Sequence, residues 1–320
     1  MTVVARFTTI TSMTPQDIDR TGRLEQPAVR DAFVARLAGA PISWGVCEVP
    51  GWGYQLDAET VLSQMRDLGL AATEFGPVGF LAEEPTALTA QLDGYGLQAV
   101  GGFLPVLLHD PRHDPLPEVE TFTDGCLAAG AGVVVLAAFT GVEGYDDRPV
   151  LDDDGWDVLL ANLDRISEHA HARGLVAALH PHIGTMVQTG EETERVLAGS
   201  RIGLCVDTGH LAVGGADPVA LTAAHVDRVV HVHLKDVDAA LAQQVVDGTT
   251  AFGDAVRAGM FRPLGEGDVD IAVLVRNLEA SGYAGWYVLE QDVMLKCRPA
   301  GEGPVDDVRR CLDFLRGVMA

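Results

Sequence analysis

Ligand-type side chains recur at the ends of apolar runs in this chain. The run "LVAALH" (175–180) closes on His180, and His182 follows in "HPHIGT". The run "IGLCVD" (202–207) closes on Asp207, with His210 three residues on. "VVHVHL" (229–234) carries His231 and His233 and leads into Lys235 and Asp236, and "WYVLEQ" (286–291) holds Glu290 with Asp292 just beyond. Earlier, "LAATEF" (70–75) brings Glu74. Gathered in one dry pocket, carboxylates and imidazoles repel or desolvate one another unless a cation unites them. A divalent metal with mixed nitrogen and oxygen ligands would do so, and such a donor set suits Mn or Co, with Mg, Zn and Fe within its range. Each residue also has a structural reading. Asp207 could cap a following helix. His231 and His233 could be satisfied core residues on one strand face, Glu290 could pair with an arginine, and Lys235 could be a solvated lysine with Asp236 as its ion partner. Their coincidence at four successive runs, the fifth to the eighth, weighs against taking every one of them that way.

The elements that must position these residues follow from the pattern. Three further apolar runs, "LAGAPIS" (37–43), "LQAVGGF" (97–103) and "GVVVLAAF" (132–139), bring the count to eight. Between the runs, apolar residues recur at helical spacing, as in Val61, Met65 and Leu68, or in 158–174, which ends on Gly174 as a C-terminal stop. Eight strands alternating with helices predict parallel pairing and a closed (β/α)₈ TIM barrel. A doubly wound open sheet fits less well, because no glycine-rich dinucleotide turn follows the first run. In such a barrel the chemistry sits at the C-terminal strand ends, where these residues lie. Residues 1–36 read as an N-terminal extension that could cover a neighbouring subunit of a homo-oligomer, and 37–320 as a single barrel domain.

Composition narrows the function. The chain has 46 acidic against 22 basic residues, a formal charge of −24, which disfavours nucleic-acid partners. No apolar run reaches membrane length and the first 30 residues lack a signal-peptide core, so no membrane partner and a cytoplasmic location are expected. The five cysteines are scattered without a CxxC pair and read as reduced thiols, Cys205 as a small core residue.

"APISWGVCEVPGWG", "TEFGPVGF", "HPHIGT", "CVDTGH", "HVHLKD" and "PLGEGDVDI" together resemble the xylose-isomerase-like TIM barrels, most closely the inosose dehydratase branch of myo-inositol catabolism, from about residue 38 onward. The resemblance implies a divalent metal held by Asp207, His233 and Glu290, with His180 at a position where many members carry a glutamate. It implies substrate contacts for His210 and His182, with Lys235 in the same mouth. Trp44, Glu48 and Trp52 would wall the pocket with Glu74, although plain packing also accounts for Trp44. Arg262 and Glu266 in "RPLGEGDVD" would approach it from a tight loop. With His180 in the glutamate position, an epimerisation by two metal-bound glutamates loses one base. The implied reaction is metal-dependent dehydration of a keto-inositol or related keto-polyol through an enediolate. Glu290 or His210 would act as base and His182 or Lys235 as acid. A sugar or keto-inositol isomerase or epimerase, the catalytic subunit of a C-glycoside deglycosidase and a non-catalytic sugar-binding barrel are the alternatives that the same motifs allow.

Overall fold

A computed structural model describes residues 26–320 except 143, 146 and 302. Nine parallel strands form eight staves of a barrel: Leu37–Gly39, Ala72–Thr73, a third stave in two pieces (Gln98–Ala99 and Gly101–Leu107), Val133–Phe139, Val176–Leu179, Gly203–Asp207, Val229–Leu234 and Tyr287–Leu289. The first stave pairs with the eighth, so the ring closes. Each of the eight apolar runs supplies one stave, and helices run between them on the outside, as predicted. The helix Asp153–Ala172 ends where Gly174 takes up a left-handed conformation. Of the predicted extension, residues 1–25 lie outside the described residues. Residues 26–36 include a helix, Gln26–Val34, whose Phe33 is buried against the ring of Tyr287.

The split in the third stave has a steric cause. Gln98 and Ala99 pair with the second stave, while Gly101 to Leu107 pair with the fourth. The chain turns between the two pieces at Gly101, with φ of 149°. A Cβ there would lie 1.8 Å from the carbonyl oxygen of Val133, so no other residue fits.

Alternation along the staves sorts the side chains. Leu204, Val206, Val229, Val232, Leu234 and Leu289 point outward into the layer under the helices. Ala38, Ala40, Ala72, Val100 and Val288 fill the floor of the barrel interior, beside Val133, Val135, Ala178 and Cys205. Above that floor the same parity delivers Glu74, His180, Asp207, His233 and Glu290 to the inside. One irregularity makes this work. Leu204 pairs with Val229, but Cys205 pairs with His231, so Val230 is an extra residue on the seventh stave. A one-residue slip exchanges the faces of a strand. The bulge therefore turns His231 and His233 inward and sets Asp207 directly beside His233.

A two-residue antiparallel hairpin, Asp236–Val237 with Phe261–Arg262, follows the seventh stave. It carries an arm of two helices, Ala239–Val246 and Phe252–Arg257. Among the described residues, no helix is long and apolar enough to cross a membrane. All five cysteines are free thiols.

Gly101→Ala should lower stability by at least about 3 kcal/mol, because a carbonyl must move. Gly174→Ala, at a φ of 79° with nothing within 4 Å, should cost only about 1–2 kcal/mol. Urea unfolding of the two variants measures the difference, and equal losses would contradict the steric account.

Candidate functional site

The fifth to eighth staves end in a buried cluster. One ligand atom each from His180, Asp207, His233 and Glu290 lies within 4.8 Å of the others. His180 Nε2 is 3.2 Å from Asp207 Oδ2, and His233 Nδ1 is 3.6 Å from that oxygen and 2.5 Å from Glu290 Oε2. Asp207 serves two structures at once. Its Oδ1 accepts from the backbone N–H groups of Gly209 and His210, capping the helix Thr208–Val213, while Oδ2 faces the cluster. Asp207 thus caps the helix with one oxygen and turns the other to the imidazoles of His180 and His233.

Glu74 lies beside this group. Its Oε1 accepts from Nε2 of His231 at 2.8 Å and of His233 at 3.0 Å. A carboxylate oxygen only accepts, so His233 carries a proton on Nε2, and its Nδ1 faces Asp207 and Glu290. The expectation that Glu74 contacts substrate gives way here to an orienting position, since its carboxylate is buried and engaged by two imidazoles.

Lys235 is fully buried rather than solvated. Its Nζ is 3.1 Å from Asp207 Oδ2, 3.1 Å from Glu290 Oε2 and 3.0 Å from Asp292 Oδ1. Asp236, its supposed partner, instead accepts from the N–H groups of Val237, Gly265, Gly267 and Val269, and so pins the loop after the hairpin. Burial works against every charge here, and proximity decides which survive. Asp207 stays well below the usual carboxylate range because the ammonium of Lys235 outweighs its desolvation. Lys235 rises well above its ordinary value against burial, under Asp207, Asp292 and Glu290. His233 is likewise raised despite burial, by its anionic neighbours, Glu290 and Glu74 among them. Asp292 is pushed up to about 7, by burial first and by Glu290, with Lys235 opposing.

His182 and His210 form the other half of the site, their rings 3.8 Å apart. His182 Nδ1 donates to the carbonyl oxygen of Ile183 at 2.7 Å, which leaves a lone pair on Nε2. The N–H of Ile183 donates to His210 Nδ1 at 3.4 Å, which places the proton of His210 on Nε2, buried without a partner. One residue's backbone thus sets two neighbouring imidazoles in opposite tautomers. Burial, first of all, holds both well below their ordinary basicity, each is further lowered by the other's neighbourhood of imidazoles, and Lys235 adds to it. Tyr145 stacks on His182 and Phe252, from the helical arm, on His210. Trp52, whose indole donates to the carbonyl of Val293, packs near Tyr145. A cavity of about 430 Å³ is lined in part by Tyr145, Arg148, Ile183 and Phe252.

Other residues named from the sequence are not brought into the cluster. Trp44 is fully buried with its Nε1 donating to Gln64, a packing residue. Arg262 pairs with Asp238 at 2.9 Å and Glu266 with Arg310 at the surface, because the hairpin turns both away. Glu48 is exposed and adds its charge near Cys47 and Tyr145. Ile183 went unnoticed in the sequence, since the atoms that act are backbone atoms.

A parallel barrel whose buried acids and imidazoles converge at the C-terminal strand ends defines a class of TIM barrels built around one polar mouth. The model of the xylose isomerase-like TIM barrel family matches residues 62–317, and this chain belongs to that family. The rhizopine catabolism protein MocC of Rhizobium meliloti is 36% identical over 283 residues, covering 84% of this chain and 85% of its own length. The inosose dehydratase of Geobacillus thermodenitrificans is 31% identical over 292 residues, covering 88% and 96%. Among solved structures, an IOLI protein with a bound zinc atom superposes with a TM-score of 0.66 at 13% identity, over 89% of this chain and 98% of that one, a likeness of fold.

Because the folded-state pKa of His210 is depressed, the unfolded chain binds more protons just below pH 6.5 and stability falls as pH drops through that range. Chelator-treated His210→Asn should lose about 1 kcal/mol less than the parent between pH 6.5 and 5.5. Urea midpoints at the two pH values measure this, and equal losses would show that His210 is not buried as a neutral ring.

Proposed function

We propose that this protein is a metal-dependent dehydratase of a keto-cyclitol of the inosose type. The observation that carries the reaction class is the convergence of His180, Asp207, His233 and Glu290 beside two histidines of opposite tautomer. The substrate class rests on the relatives named inosose dehydratase that align over nearly the whole of both chains.

The donor set fits a divalent cation. His233 Nδ1 and Glu290 Oε2 are buried without a hydrogen-bond partner although they face each other, and the mixed nitrogen and oxygen donors suit Mn or Co. His180, Asp207, His233 and Glu290 would hold the ion, with Glu74 fixing the His233 tautomer. Bound there, the ion supplies Lewis-acid stabilisation of negative charge on the substrate's carbonyl oxygen.

The chain's own residues handle the protons. His182 offers the Nε2 lone pair and takes the hydrogen from the carbon next to the carbonyl. The resulting imidazolium returns that proton to the departing β-hydroxyl, which leaves as water. His210 donates a hydrogen bond from Nε2–H to a substrate oxygen, as a neutral imidazole can. This exchanges the parts the sequence suggested for the two histidines, because the backbone of Ile183 decides which nitrogen carries a proton. Lys235 keeps the neighbouring carboxylates compatible. The remaining enol bears a hydroxyl and becomes a 1,2-diketone. Epimerisation asks for a second proton donor on the opposite face of the substrate. With His182 and His210 side by side and His180 in place of a glutamate, elimination from one face fits better.

Elemental analysis of the purified protein should find about one divalent ion per chain, and Asp207→Asn should lose it. With Mn or Co added, inosose should yield a diketone, and Asp207→Asn should reduce kcat/KM at least about a hundredfold. Loaded protein that leaves inosose unchanged would overturn the assignment, and epimers seen by NMR would replace it with isomerase chemistry. His182→Gln should lower kcat by about 10²–10⁴ with little change in KM, and an unchanged kcat would move the base to Glu290.

A further inference from the structure

The third and fourth staves contribute nothing to the polar cluster, and the proposed reaction gives them no part. Their inward-facing residues are Phe103, Pro105 and Leu107 on one and Val133, Val135, Ala137 and Phe139 on the other, seven apolar side chains without interruption. Alternation fixes this parity. Leu104, Val106 and Leu108 pack outward under the helices, while Phe103 packs against Val135, Ala178 and Cys205 inside. The ring of Phe103 lies 5.8 Å from that of His180 and 5.4 Å from that of His182.

The lower residues of this wall, Val133, Val135 and Ala137, are buried. The upper ones are not: Phe103, Leu107 and Phe139 are half-buried and Pro105 is exposed. Leu107 and Phe139 are register partners, so they stand side by side. Above Gly101 the third stave has no partner on its other edge, which is where a proline is tolerated. The upper ends of these two staves therefore leave apolar surface partly open, beside the buried charge of the fifth to eighth. Apolar surface left open inside a concavity gains free energy when a ligand covers it.

We propose that Phe103, Pro105, Leu107 and Phe139 form a platform for the hydrogen-bearing face of a cyclic polyol, and that Phe103 makes the site prefer ring polyols to open-chain ones. The substrate class rests on the function proposed above; the preference for a ring is new. A six-membered cyclitol carries its oxygens round the rim and shows C–H bonds on its faces. Standing beside both, it turns a C–H face to Phe103 and its oxygens to the imidazoles and carboxylates. An open-chain polyol with the same number of carbons and hydroxyls must freeze several bonds to present any such face, which costs it binding free energy.

The test is calorimetric binding of myo-inositol and of the open-chain hexitol glucitol to full-length, metal-loaded protein, its Phe103→Ala variant and its Phe103→Leu variant. The parent should bind the cyclitol at least about fivefold more tightly, Phe103→Ala should abolish that preference, and Phe103→Leu should keep most of it. No preference in the parent, no binding of either polyol, or a preference that survives in Phe103→Ala would overturn the platform. Retention of native unfolding behaviour by Phe103→Leu separates a lost platform from a lost fold. Inosose turnover by the same preparations is a separate readout: ring preference without turnover would leave the platform standing and remove the reaction.

Discussion

Four carboxylates and one ammonium share the mouth of this barrel, and most of what surrounds them exists to make that tolerable. Glu74, Asp207, Glu290 and Asp292 cannot all be ionised in a dry space without compensation. Lys235 touches three of them, and His231 and His233 donate to the fourth. Even so, Asp292 is pushed toward neutrality. The surplus of negative charge is of the kind that a divalent ion among the four converging ligand atoms could offset.

The scaffold meets this electrostatic demand with small geometric devices. The bulge at Val230 sets the facing of two histidines, and without it the seventh stave would present valines to the interior. Gly101 breaks the third stave so that the ring can close while leaving a free edge above. Asp236 holds the following loop by three N–H groups and leaves Lys235 free to turn inward. None of these acts on a substrate, yet each decides where an acting side chain points.

The sequence carried the staves and the acid–imidazole strand ends because both depend on short patterns: apolar runs of strand length, and a ligand-type residue where each run stops. The alternation of His231 and His233 with valines showed that they share one face. It did not show which face, since that depends on a register shift against Leu204 that no local pattern encodes. Glu74 looked like any strand-end acid, and its orienting position emerges only from two imidazoles 157 and 159 residues away. The tautomers of His182 and His210 are set by backbone atoms of Ile183, which have no side-chain signature. Arg262 and Glu266 misled because a loop rich in glycine near a site can curl away from it as readily as toward it.

The double duty of Asp207 has a mechanical consequence. One of its oxygens is clamped by the first N–H groups of the helix that carries His210, so the carboxylate and that imidazole move as a single rigid piece. Glu290, by contrast, has only ion-pair proximity to the side chains of His233 and Lys235 at its Oε2, with no hydrogen bond to that oxygen. The site therefore has a stiff wall and a compliant one. Any adjustment to the size of what it holds falls on Glu290, while the spacing between Asp207 and His210 stays fixed like the jaw of a vice.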